Sequence, residues 1–221
     1  MDHCPQPEIR KDFHAENALS VVSLSAATRN DILTKSRSHA MKNLLKLATL
    51  TIVGIATFAS PADAALKVGA RAPDFTLPAY LAGKPFTFNL DSALKKGPVV
   101  VYFFPAPHTT GCNIEAHLFS QAIDKFKAEN VTVIGVSAGN LDQLAAFSKE
   151  AKHCSGKFPV AADKGAKVAK EYDSLLLLRP GWSNRTSYLI APSGKIVAEY
   201  SALKPDDHVK KMLAAAATLK K

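Results

Sequence analysis

The chain has 221 residues, 47% of them hydrophobic and 21% charged, with a formal net charge of +9 at pH 7. That length suits one domain with a proper core plus a short additional segment. The basic excess lies in single residues and pairs such as Lys95-Lys96, Lys210-Lys211 and Lys220-Lys221, without a dense block or a nucleic-acid motif, so it reads as a solvated surface.

Residues 1–40 are polar and irregular. Met41 opens a different pattern: Lys42 and Lys46 form a basic head, Leu44 to Phe58 is largely apolar, and Ser60-Pro61-Ala62-Asp63-Ala64 supplies small residues with an A-x-A site. This is the pattern of a secretory signal peptide cleaved after Ala64, shorter than the roughly 20 apolar residues of a stable membrane span. The expectation is therefore an exported protein whose mature part is 65–221, with 1–40 a mis-assigned upstream extension or a tail. Cleavage removes Cys4 and leaves Cys112 and Cys154. Two cysteines in an exported chain ordinarily form a structural disulfide.

Within the mature part, Pro73 and Pro78 bracket a short strand around Phe75–Leu77, and Ala82 to Pro85 reads as a turn. Phe86 to Leu90 alternates with period two, and Asp91 is a candidate cap for a short turn running to Lys96. Val99 to Phe104 is an unbroken apolar run rich in β-branched and aromatic residues, the pattern of a strand buried on both faces. Pro105 and Pro107 end it, and Thr109, Thr110 and Gly111 start a helix whose inward side is read as Ile114, Leu118, Ala122 and Phe126. Val131 to Val136 is a second buried strand. Asn140 is the expected cap of a helix over 141–152 with Leu144, Ala145, Phe147 and Ala151 inward. A short extended piece at 158–161 and a short helix at 164–172 follow. Strands at 186–190 and 195–200 are joined by the turn Ala191-Pro192-Ser193-Gly194. Pro205 opens a closing helix with Val209, Met212, Leu213 and Leu219. The order predicts an α/β fold of one domain.

Cys112 is placed by this reading in the first turn of a helix that follows a central strand. A thiol there feels the positive end of the helix dipole and nearby unpaired N–H groups, both of which favour thiolate. An inert buried cysteine is the plainer alternative. The spacing P-x-x-x-T-x-x-C-x-x-E, made by Pro105, Thr109, Cys112 and Glu115, resembles the active-site motif of the peroxiredoxins. The segment Gly69 to Leu77 resembles that family's opening, and Asn184 to Ile190 its arginine-bearing strand. The chain resembles most the peroxiredoxin Q (bacterioferritin comigratory protein) type.

The resemblance implies a thioredoxin-like fold, with an N-terminal β extension and a central mixed sheet flanked by helices. It also implies a thiol peroxidase needing no haem, flavin or metal. Cys112 is then the peroxidatic nucleophile, attacking a peroxide oxygen and becoming sulfenic acid. Thr109 offers a hydroxyl to peroxide and sulfur, or serves as a plain helix cap. Pro105 shields the thiolate, or only ends the strand. Arg185 stabilises thiolate and holds a peroxide oxygen. Glu115 orients Arg185 or is an exposed helix carboxylate. His117 stands where relatives of this type often carry a resolving cysteine, which leaves Cys154, in a loop-like and mobile context, as the candidate. The alternatives there are recycling by an external thiol and a static Cys112–Cys154 bridge. His108 and His117 lack further ligands at metal spacing, so no metal is expected. The partners implied are a hydroperoxide and a thioredoxin-like or small-thiol reductant, with the chain a monomer or weak homodimer in a bacterial periplasm. Trp182 and Leu175 to Leu178 are expected at the rim of the site. A thiol–disulfide oxidoreductase is disfavoured because Cys112 is followed by Asn-Ile-Glu, not by C-x-x-C. A non-catalytic binding module is the other rival.

Overall fold

A computed structural model describes residues 65–219; the expected upstream extension and signal peptide lie outside the described residues. Strands β1 (Thr76–Leu81), β2 (Lys84–Asn89), β3 (Val99–Phe104), β4 (Thr132–Ser137), β5 (Val160–Ala162), β6 (Thr186–Ile190) and β7 (Ile196–Ser201) form one seven-stranded sheet in the order β2-β1-β5-β4-β3-β6-β7. Helices α1 (Leu90–Leu94), α2 (Thr110–Ala128), α3 (Leu144–Lys149), α4 (Lys167–Glu171) and α5 (His208–Leu219) cover it. The sheet is mixed: β3 runs parallel to β4 and antiparallel to β6. This is the expected thioredoxin-like α/β architecture, with the β1–β2 hairpin as the N-terminal extension.

The central strand is apolar throughout because both of its faces are covered. Val100, Tyr102 and Phe104 join the apolar layer under α2, α3 and α5, whereas Val99, Val101 and Phe103 join the layer under α1 and α4. Alternation of side chains across a strand requires such a run when helices pack on both sides. On the α2 side, the Tyr102 ring stacks on Phe119 at 4.3 Å between centroids and meets Phe104 at 5.5 Å.

Several local expectations are corrected. Pro78 lies inside β1, because β5 pairs with that strand only at Ala79 and Tyr80 and leaves the proline a side without a ladder. Asn89, not Asp91, caps α1, accepting from Ser92 N through its side chain. The buried side of α2 is Cys112, Glu115, Ala116, Phe119, Ser120, Ala122, Ile123 and Phe126, while Ile114 is 43% exposed. Three of those inward residues are polar or a thiol, which disguised the face in the sequence. Asn140 sits in the left-handed region (φ 47°) with no side-chain cap. The helix beyond it is a 3-10 turn, Leu141–Gln143, followed by α3, which ends at Lys149. Ala151 is exposed. Helix α4 begins at Lys167, three residues late, after Ala166 in the left-handed region. Pro205 precedes α5, and Leu219 faces solvent.

His208, at the start of α5, is fully buried. Its Nε2 lies 2.9 Å from the Ala202 carbonyl, which can only accept, so that nitrogen donates. In the neutral ring Nδ1 then accepts from the Ser187 hydroxyl at 2.9 Å. Burial pulls this imidazole down to about 4, with the Arg185 charge adding to the fall.

Two stability predictions follow from these contacts. Between pH 6.5 and about 4 the unfolded chain takes up a proton that folded His208 refuses, so stability drops as pH falls through that window. Urea unfolding should show the wild type losing about 2 kcal/mol more between pH 7 and pH 4.5 than His208→Asn; equal losses would exclude this linkage. Gly135 faces Tyr102 so closely that a Cβ there would stand 2.7 Å from the ring carbon Cζ. Because Tyr102 is wedged against Phe119, Gly135→Ala should cost about 1–3 kcal/mol in the same assay.

Candidate active site

The antiparallel pairing of β3 with β6 builds the site. Phe103 pairs with Thr186, so the residue just before β6, Arg185, arrives beside the carboxyl end of β3, where the chain turns into α2. Cys112 lies in the first turn of that helix, and both residues are buried. Arg185 Nη2 is 3.4 Å from Cys112 Sγ. Nη1 donates to Glu115 Oε2 in a buried ion pair, and Nε donates to the Leu203 carbonyl at 2.9 Å. Every nitrogen of the guanidinium is thus engaged, and its plane is held by three groups on two parts of the chain, α2 and the segment after β7.

Glu115 is fully buried one turn after Cys112, not an exposed helix carboxylate. Burial pushes its carboxyl up, while the Arg185 charge and hydrogen bond pull it back down and favour the ionised form. Its Oε1 has no hydrogen-bond partner among the described residues and faces His208 Nδ1 at 3.5 Å. The guanidinium also lies over Gly111: a Cβ at that position would meet Nη2 at 2.9 Å.

Thr109 is the N-cap residue of α2, yet its hydroxyl makes no cap bond; it donates to the Ala106 carbonyl at 3.0 Å. Pro105 begins the turn directly after β3. Its carbonyl accepts from the Ser137 hydroxyl at 3.2 Å, and the Ser183 hydroxyl donates to the Phe104 carbonyl at 2.6 Å. Gly139 backs the same turn, since a Cβ there would stand 2.7 Å from the Pro105 oxygen and 2.9 Å from the Trp182 ring. Ser137, Gly139, Ser183 and His208 were not singled out in the sequence. Only the glycine carried a signal, a residue small enough for close approach.

Trp182 packs at this rim with the Arg179 guanidinium 3.3 Å from its ring centroid. Leu177 and Leu178, expected beside it, are instead 90% and 93% exposed. Their turn, closed by the Leu176 N–H to the Trp182 carbonyl, turns them outward.

Cys154 is a free thiol, as is Cys112. It lies in a turn, as its loop-like context led one to expect, but the turn is closed and the thiol buried. The turn after α3 is pinned by hydrogen bonds from His153 N and Ser155 N to the Glu150 carbonyl, and Cys154 is buried in the apolar layer that also contains Cys112 and Phe158. Burial pushes its thiol well up, so the group is protonated where it sits.

The expectation of no metal rested on His108 and His117. His117 lies beside Gln121, Nε2 to Nε2 at 3.0 Å. His108 meets different partners, Glu150 and His153, with Nε2 3.5 Å from Glu150 Oε1.

A thiol at a helix start, faced by a locked arginine, sits where negative charge on sulfur is stabilised. Comparison with known proteins agrees in kind. Residues 68–199 match the model of the AhpC/TSA family. The chain is 33% identical over 156 residues to a chloroplastic peroxiredoxin Q of Sedum lineare, covering 69% of this chain and 78% of that one. A second chloroplastic peroxiredoxin Q, from Populus jackii, is 31% identical over 193 residues, covering 86% and 87%. Among solved structures, peroxidoxin BcpB from Mycobacterium tuberculosis superposes with a TM-score of 0.62 at 26% identity, over 71% of this chain and 99% of that one. The reduced 2-Cys peroxiredoxin of Plasmodium vivax shares the fold with a TM-score of 0.62 at 22% identity, over 70% and 97%. The chain belongs to the AhpC/TSA family and is a peroxiredoxin, a thiol-dependent peroxidase.

Proposed function

We propose that the protein reduces hydrogen peroxide and small alkyl hydroperoxides in a two-cysteine cycle. The observation that carries this reading is the 3.4 Å approach of Arg185 Nη2 to Cys112 Sγ, with Glu115 and the Leu203 carbonyl fixing the rest of the guanidinium. Cys112 attacks as thiolate. The S–O bond forms as the O–O bond breaks, two electrons leave sulfur, and the departing alkoxide or hydroxide takes a proton from solvent. Arg185 stabilises the thiolate and the charge that develops on the peroxide, and Glu115 positions Arg185. Thr109 supplies a hydroxyl to the peroxide once it lets go of the Ala106 carbonyl, while Pro105 keeps bulk water from the sulfur.

Cys154 then attacks the sulfenic sulfur, an S–S bond forms, and the hydroxyl leaves as water. A disulfide needs Cα atoms within roughly 7 Å, and a buried thiol is a poor nucleophile, so the Cys154 turn opens for this step. A thioredoxin-like protein or a small thiol then restores both cysteines. The leader-like stretch at 41–64 supports action after export, in a bacterial periplasm, as a monomer or weak homodimer.

Mass spectrometry after one equivalent of hydrogen peroxide tests the cycle. The wild type should lose two hydrogens through a Cys112–Cys154 bond, Cys154→Ser should gain one oxygen on Cys112, and Cys112→Ser should remain unmodified. Oxygen gain in the wild type would make Cys154 a bystander, and an unreactive Cys112 would overturn the peroxidase assignment. Steady-state kinetics with hydrogen peroxide should show kcat/KM falling by about 100-fold or more in Arg185→Lys, because an ammonium cannot replace the fork held by three partners.

A further inference from the structure

His108, Glu150 and His153 come from two parts of the chain and offer their ligand atoms within 4.8 Å of one another. Glu150 is shared: Oε1 is 3.5 Å from His108 Nε2, and Oε2 is 2.9 Å from His153 Nδ1. The imidazoles are held by packing and not by chance exposure. His153 is buried and stacks on Phe147 with centroids 4.7 Å apart, and the His108 ring lies 5.5 Å from Phe147 and 5.3 Å from His153. His108 reaches this position through a left-handed backbone (φ 61°), a conformation uncommon outside glycine. Among the described residues His153 Nδ1 finds no hydrogen bond of good geometry, although it is buried beside a carboxylate.

Two imidazoles and a carboxylate are a donor set for zinc and its first-row neighbours, with one coordination position left for water. Around a tetrahedral zinc, ligand atoms stand ~3.3 Å apart. The 2.9 and 3.5 Å separations run to different oxygens of the carboxylate, and all three ligand atoms lie within 4.8 Å of one another, so side-chain movements of up to ~1.5 Å gather them around one ion. A cleft of about 440 Å³ reaches His153, and the His108 and Glu150 side chains are 32% and 39% exposed, so the cluster is open to solvent.

The placement gives the cluster a consequence. His108 lies on the turn between β3 and α2, four residues before Cys112; His153 directly precedes Cys154. We propose that His108, Glu150 and His153 form a divalent transition-metal site, and that an ion bound there fastens the Cys154 turn to the active-site turn and slows Cys112–Cys154 disulfide formation. The second half rests on Cys154 being the resolving cysteine; the site itself does not.

Calorimetric titration of the full chain with zinc chloride, in a background carrying Cys4→Ser, Cys112→Ser and Cys154→Ser, tests the site without thiol ligands. One ion should bind, and both Glu150→Gln and His153→Ala should weaken it at least ~10-fold. Glu150 is partly exposed, so its variant keeps the comparison valid if His153→Ala unfolds. An isotherm unchanged by either substitution would overturn the site. In the chain with its cysteines intact, mass spectrometry after one equivalent of hydrogen peroxide should show the disulfide forming several-fold more slowly with zinc than without. Glu150→Gln should remove that difference. Equal rates would overturn the fastening, leaving the site to the calorimetry. Absence of any disulfide in the metal-free wild type would reject Cys154 as resolving cysteine, and the fastening with it.

Discussion

The contact on which the functional end of the molecule depends is the seat of Arg185. A guanidinium removed from water needs its charge balanced and its donors paired, and this one meets Glu115, the Leu203 carbonyl and the Cys112 sulfur at once. Those partners fix more than the arginine. They require α2 to present Cys112 and Glu115 one turn apart on its inner side, and β6 to lie antiparallel against β3. They also require the chain after β7 to return a carbonyl to the same point. Gly111 belongs to the same arrangement, because a side chain there would occupy the space of Nη2. A residue that reads as helix-start punctuation is also a clearance for a charged group.

The fold was legible where the local pattern had one cause. Val99 to Phe104 could only be a strand covered on both sides, and the hairpin turn at 191–194 announced the pairing of β6 with β7. Legibility failed where a polar residue faces inward. Helix α2 buries Glu115, Ser120 and Cys112 among its apolar contacts, and a reading that sends such residues outward rotates the helix. The same cause hid His208, a buried imidazole whose hydrogen bonds to Ser187 and Ala202 come from the strand it packs on and the chain beyond it.

Within the site, the motif named Cys112, Thr109, Pro105 and Glu115, and the resemblance of the 184–190 segment added Arg185, but spacing could not say how they meet. Glu115 stood open between surface and core until the arginine was seen against it. The burial of Cys154 in its turn could not be read, because that turn is closed by backbone hydrogen bonds that no residue type announces. The grouping of His108 with Glu150 and His153 was equally hidden, since its members are 42 and 45 residues apart in the chain.

Arg185 and Cys112 are separated by 73 positions, and each reaches the other only when β6 has taken its place beside β3. During synthesis the cysteine therefore emerges long before the arginine, when no guanidinium is there to hold charge on its sulfur. The helix start favours thiolate by itself, but the guanidinium's share of the activation belongs to the finished sheet and not to the segment. A nascent or partly unfolded chain lacks that share, so an oxidant met on the way to the native state finds a less activated sulfur. The strand order that assembles the site thus ties the arginine's contribution to the pairing of β6 with β3.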